Sequence, residues 1–129
     1  MRVFAPPKGM VALAVVSVIA VAAIRYNGST ATAATAPDGK AIFESKCSAC
    51  HKSSGTGVPG TFPALAGNTD VNAKDPSAII ATVEHGKNAM PSFKASLSPA
   101  DIAAVLTYVR SAWGNHASPV AAKDVTAVK

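Results

Sequence analysis

Apolar and polar positions divide this chain into regions of different character. Met10 to Ile24, MVALAVVSVIAVAAI, carries no charge and no proline, and the apolar stretch extends back to Val3 across Pro6, Pro7 and Lys8. At ~1.5 Å per residue, Val3 to Ile24 reaches across a hydrocarbon layer of ~30 Å, which predicts a single transmembrane helix over residues 1–24. Arg25 to Pro37, RYNGSTATAATAP, offers small and polar residues that cannot bury a core, and reads as a linker. Helical punctuation follows. Asp38 is placed to cap a helix carrying Ile42 and Phe43, and DPSAIIATVEHG puts Asp75 at an N-cap, Pro76 at the first helical position and Gly86 at the stop. In SPADIAAVLTYVRSAWG, Ser98 and Asp101 form a capping box, Gly114 marks the stop, and Ile102, Val105, Leu106, Val109 and Trp113 share a stripe. No alternating strand pattern competes, so the expected fold is all-α, with three main helices.

Length and charge narrow the organisation. A chain of 129 residues has room for one small domain. We expect it over residues 38–114, followed by a tail, 115–129, that is mobile or folds only against a partner. The formal charge of +5 shrinks once Arg2, Lys8 and Arg25 are set aside: from Asp38 onward, nine Lys and Arg face seven Asp and Glu, a net of +2. That is too weak a field for a nucleic-acid partner. Ser53 to Ala73 is a Gly/Pro-rich loop too long to order itself, and three short helices supply little core to hold it, so the domain needs an internal support.

Both cysteines of the chain stand in KCSACHK, as Cys47 and Cys50, with His51 directly after. Three chemistries use such a cluster. A redox disulfide expects a βαβ setting, which is missing, and leaves His51 idle. Structural zinc needs a fourth ligand, and His85 and His116 lie at spacings unlike any common zinc module. In covalent haem attachment each thiol adds to a porphyrin vinyl group, and the adjacent imidazole falls under the iron; Cys-x-x-Cys-His suits one haem c and accounts for all three residues. For the second axial position Met90 is the only methionine of the folded part, in the loop KNAMPSF stiffened by Pro91. The competing roles are core filling for Met90, which a polar loop disfavours, and ligation by His85, which stands at a helix end where imidazoles usually meet the last carbonyls.

Over Pro37 to Gly114 the chain resembles class I cytochrome c, the mono-haem type. Gly39 and Phe43 on the first helix, with Val105 and Tyr108 on the last, match that family's helix crossing, and PALAG supplies Pro63, Leu65 and Gly67 at the family's offsets from the haem histidine. The resemblance implies that the Pro63 carbonyl accepts the His51 imidazole N–H, and that the cofactor site is Cys47, Cys50, His51, Pro63 and Met90, with iron held by His51 and Met90. FPALAGN, HGKNAMPSF and YVRSAWGN look most like haem domains of bacterial membrane dehydrogenase cytochrome subunits and oxidase c-type subunits. The segment between Gly67 and Met90 is shorter than in the mitochondrial carrier, and no tryptophan stands where that relative binds a propionate.

The expectation is a one-electron carrier, not an enzyme, in a bacterial respiratory chain. Its partners would be redox proteins (a bc1-type complex, a terminal oxidase or a membrane dehydrogenase) and the membrane, with no nucleic acid and no small-molecule substrate. Arg2 and Lys8 would keep the N-terminus cytoplasmic and the haem domain on the periplasmic side of the inner membrane. Small-residue motifs at Ala31–Ala33 and Ala34–Ala36 offer the alternative of a cleaved signal, but stand far from the apolar core. Other readings are a haem subunit fixed in a complex, or a haem enzyme or gas sensor with a labile sixth ligand. Lys46, Lys52, Lys87 and Lys94 flank the haem-binding segments and are either solvated surface or a steering ring.

Overall fold

The computed structural model describes residues 35–129; the expected membrane helix and most of the expected linker lie outside the described residues. Among the described residues no helix is long and apolar enough to cross a membrane. There is no strand either, only isolated bridges between Val58 and Phe62 and between Lys87 and Met90. Five helical segments follow one another among the described residues: α1 Gly39–Lys46, α2 Ser48–His51, α3 Ser77–His85, α4 Pro99–Ser111 and α5 Ala122–Ala127.

Local chemistry accounts for the starts. Asp38 Oδ1 accepts from the amides of Lys40 and Ala41 at 2.9 and 3.1 Å, opening α1. Ser98 and Asp101 cap α4 reciprocally, each side chain reaching the other's backbone N–H, with Pro99 at the first position. At α3 the cap stands one residue later than the sequence suggests: Pro76 is the N-cap, and Asp75 Oδ1 takes the Ser77 amide at 2.9 Å. The Ser77 amide and hydroxyl hold the Asp75 carboxyl below the usual aspartate range, and the Ser98 hydroxyl and amide do the same for Asp101.

α4 is the central element because it is apolar on two sides. Val105 and Val109 face α1, where with Phe43 and Val71 they form one buried cluster. Ile102, Ala103 and Leu106 face α3 and α5 in a second, with Ile79, Ile80, Val120 and Val125. The crossing with α1 depends on Gly39, since a Cβ there would run into the Ala104 carbonyl. Phe43, with no exposed surface, fills the space below, its ring 5.6 Å from Tyr108 and 5.0 Å from Trp113.

Two expectations need correction. Trp113 does not continue the α4 stripe: the helix ends at Ser111, Trp113 takes φ 52° and Gly114 φ 81°, and the chain reverses so that the indole lies over Gly55 and donates to the Ser53 carbonyl at 3.0 Å. The tail is not mobile but folded onto the domain's own α3 and α4. The Thr107 hydroxyl bridges the Val120 N–H and C=O at 3.0 and 3.2 Å, Arg110 Nε donates to the Ser118 carbonyl at 2.8 Å, and Val125 is fully buried. The tail's alanines conceal its anchoring role, because few of its side chains reach the core: Val120 and Val125 join the cluster that holds Ile80 and Leu106, and Val128 packs against it. Val125→Ala removes two buried methyl groups and is expected to lower unfolding stability by about 2 kcal/mol in denaturant titration. A tail free of the domain would leave the midpoint unchanged.

Candidate functional site

The site grows from the junction of α1 and α2. Cys47 caps α1 through its amide to the Phe43 carbonyl at 2.9 Å, and in turn receives the amides of Cys50 and His51 at 3.2 and 3.0 Å. One short turn thus carries both thiols and the imidazole. Lys52, at φ 62°, ends that turn and sends the chain into the long loop. Gly57 accepts backbone closer than any side chain would permit: a Cβ there would overlap the Phe62 and Pro63 carbonyls. Its own N–H donates to the His51 carbonyl at 2.9 Å. The loop therefore doubles back on α2, and His51 Nδ1 lies 3.0 Å from the Pro63 carbonyl oxygen. A carbonyl only accepts, so Nδ1 carries the proton and Nε2 presents its lone pair. His51 is buried, Cys47 and Cys50 half-buried.

What keeps so irregular a loop in place comes from the far end of the domain. Asn115, 1% exposed, donates to the carbonyls of Leu65 and Val109 at 3.0 and 2.8 Å and accepts from the Gly67 amide and the Asn72 side chain at 2.9 and 2.8 Å. Arg110, equally buried, donates to the carbonyls of Val71 and Ala73 at 2.8 and 2.9 Å. Both residues lie in YVRSAWGN, yet the sequence assigned neither a role. Arg110 carried a further signal, as the only arginine after Arg25 and set in an apolar helix; Asn115 stood at the head of a segment read as tail.

The structure discriminates among the three chemistries. Burial, together with the neighbouring Cys50, pushes the Cys47 thiol up to about 11, the reverse of the lowered pKa of a redox dithiol. No group of three or more His, Cys, Asp or Glu side chains is gathered to hold a metal ion among the described residues, so zinc has no ligand set. Two thiols and an imidazole of set tautomer on a single turn, against an apolar cluster that includes Cys47 and Leu65, fit a covalently attached haem. The candidate ligands are thus partly assembled: His51 meets Pro63, while Met90, half-buried, stands on the separate loop between α3 and α4, in a tight turn with paired hydrogen bonds to Lys87 at 3.0 and 3.1 Å. His85 is exposed at the last position of α3.

A helical domain built on Cys-x-x-Cys-His defines a mono-haem cytochrome c. Residues 34–109 match the family described as cytochrome C oxidase, cbb3-type, subunit III, and the chain belongs to this family of cytochrome c domains. The cytochrome c subunit of alcohol dehydrogenase (quinone) from Gluconacetobacter polyoxogenes is 34% identical over 115 residues, covering 80% of this chain and 24% of that subunit. The fructose dehydrogenase cytochrome subunit of Gluconobacter japonicus is 34% identical over 119 residues, 81% of this chain and 24% of its own length. Cytochrome c6 of Leptolyngbya boryana is 40% identical over 77 residues, 59% of this chain and 91% of the relative. The chain therefore spans about a quarter of the dehydrogenase subunits, 24%, and most of the small cytochrome, 91%. It is an electron-transfer cytochrome c with one covalent haem c.

Asn115→Ala leaves the Gly67 amide and the Leu65 and Val109 carbonyls without this partner, and is expected to lower stability by on the order of 3 kcal/mol. Amide exchange at Gly67 should accelerate beyond that at α4, since the loop loosens before the domain unfolds. Equal acceleration at both would mean that Asn115 does not specifically hold the loop.

Proposed function

We propose that this cytochrome is a membrane-tethered one-electron carrier of a bacterial respiratory chain, exchanging electrons on the periplasmic side between a quinol- or substrate-oxidising complex and a terminal oxidase. The observation that carries the redox reading is the Cys47-to-His51 turn with its imidazole oriented by Pro63. When bound, haem c supplies reversible Fe(II)/Fe(III) exchange. The chain's residues would do the rest: Cys47 and Cys50 would anchor the ring, His51 would offer Nε2, and Met90 would offer a thioether from the loop between α3 and α4. The Pro63 carbonyl holds the ring orientation of His51 and makes it the stronger donor. A thioether ligand and an apolar surround both favour the reduced state, so the potential is high for a cytochrome.

Met90→Ala is expected to abolish the weak far-red absorption band of the oxidised protein and to lower the midpoint potential, while the pigment stays bound to the chain through denaturing electrophoresis. A spectrum unchanged in Met90→Ala but altered in His85→Ala would reassign the sixth ligand.

Support for the tether comes from the run Val3 to Ile24, and the stretch from Arg25 to Pro37 would keep the haem within roughly 20 Å of its root. Such confinement raises the effective concentration at membrane partners towards the millimolar range. Intact mass of native protein should correspond to the full chain plus one haem, in the membrane fraction; a soluble haem-bearing chain beginning between Ala23 and Pro37 would make it a free shuttle. A second reading, a haem subunit fixed within a larger complex, is favoured by the cytochrome subunits of alcohol and fructose dehydrogenases among its relatives. Co-purification in mild detergent separates the two.

A further inference from the structure

The loop carrying Met90 is closed by a device that the electron-transfer chemistry does not explain. Phe93 and Lys94 donate their amides to the carbonyls of Val83 and Glu84 in the last turn of α3, at 2.9 and 3.3 Å, and the Ser92 hydroxyl donates to the Glu84 carbonyl as well. Gly86, at φ 79°, has no room for a Cβ, which would stand 2.5 Å from the Met90 carbonyl oxygen and 2.9 Å from the Ser92 nitrogen. Across the same junction Lys94 Nζ lies 3.4 Å from Glu84 Oε1. The Glu84 side chain is only 7% exposed, and its Oε2 is buried without a hydrogen-bond partner among the described residues. A carboxylate taken out of water against one ammonium and no further donor gains little for overall stability, because its desolvation offsets the attraction. What this pair does accomplish is local. Glu84 precedes the Met90 turn and Lys94 follows it, so the ion pair ties the two stems of the loop together where the backbone hydrogen bonds end.

We propose that Glu84 and Lys94 are positioning residues that latch the Met90 loop, setting how often the thioether leaves the iron. The latch rests on the reading of Met90 as sixth ligand. Opening of the loop releases a coordination position that a small exogenous base can take, so the affinity of the ferric protein for such a base reports the closed-to-open equilibrium directly. Overall unfolding does not enter that affinity at temperatures where the domain is folded.

The test is a titration of the oxidised full chain with imidazole, followed through the far-red band, for the unaltered protein and for Lys94→Met, Lys94→Arg and Glu84→Gln. Lys94→Met and Glu84→Gln should bind imidazole roughly five- to tenfold more tightly, a modest factor because Lys94 is 57% exposed and water screens its side of the pair. Lys94→Arg, which keeps the charge, should return to the affinity of the unaltered protein. Unchanged affinity in both Lys94→Met and Glu84→Gln overturns the latch, even if their unfolding midpoints fall, because a purely structural pair would move stability alone. Met90→Ala separates the two levels. If it keeps the far-red band, the ligand reading fails and the latch with it; if it loses the band while the latch variants behave as the unaltered protein, the latch alone fails.

Discussion

A single hydrogen bond, from His51 Nδ1 to the Pro63 carbonyl at 3.0 Å, sets the demand that the rest of the domain meets. An imidazole proposed to hold iron needs its other nitrogen engaged, or the ring rotates and its tautomer is free to change. The acceptor here is a main-chain carbonyl in a loop with no regular structure, and such a carbonyl is only as well placed as its loop. Gly57 lets the loop fold back near α2, where any side chain would collide with the carbonyls of Phe62 and Pro63. Asn115 and Arg110 then hold its later part, from Leu65 to Ala73, through hydrogen bonds to its main-chain carbonyls and the Gly67 amide.

This arrangement explains why α4 is the longest helix among the described residues and why it is apolar on two sides. One side clamps α1 at Gly39 and so fixes where the Cys47–His51 turn begins; the other collects α3 and the C-terminal α5. Arg110 belongs to both tasks, with Nε on the Ser118 carbonyl and its two terminal nitrogens on the Val71 and Ala73 carbonyls. The tail is thereby coupled to the loop: the segment after Gly114 supplies Asn115 and Ser118 to the same network that supports the haem-binding side. Electron transfer benefits from a site that moves little between oxidation states, and an irregular loop tied to buried, hydrogen-bonded polar side chains is held in a way that its own sequence does not suggest.

The haem-binding turn was legible because its chemistry is local. Cys47, Cys50 and His51 fall within one helical turn, and no distant residue is required to recognise why two thiols and an imidazole stand there. Helix starts were legible for the same reason: a cap such as Asp38 or Ser98 acts on amides two or three residues away. Met90 stood out by elimination, as the one methionine of the folded part, and Pro63 through family resemblance. The end of α4 was read wrongly, because a tryptophan in register with an apolar stripe looks helical, whereas a left-handed residue at Trp113 turns the indole back over Gly55.

The amino-acid sequence by itself thus determined the helical class and the covalent cofactor, since the caps and the Cys-x-x-Cys-His motif depend on side chains adjacent along the chain or one turn apart. Only the tertiary structure decided what supports them. Asn115 reaches Leu65 and Gly67, Arg110 reaches Val71 and Ala73, and Val125 enters the core between α3 and α4. These contacts join positions far apart along the chain. Their partners are mostly backbone carbonyls and amides, which every residue possesses, so nothing in the residue types could reveal which of them would be met.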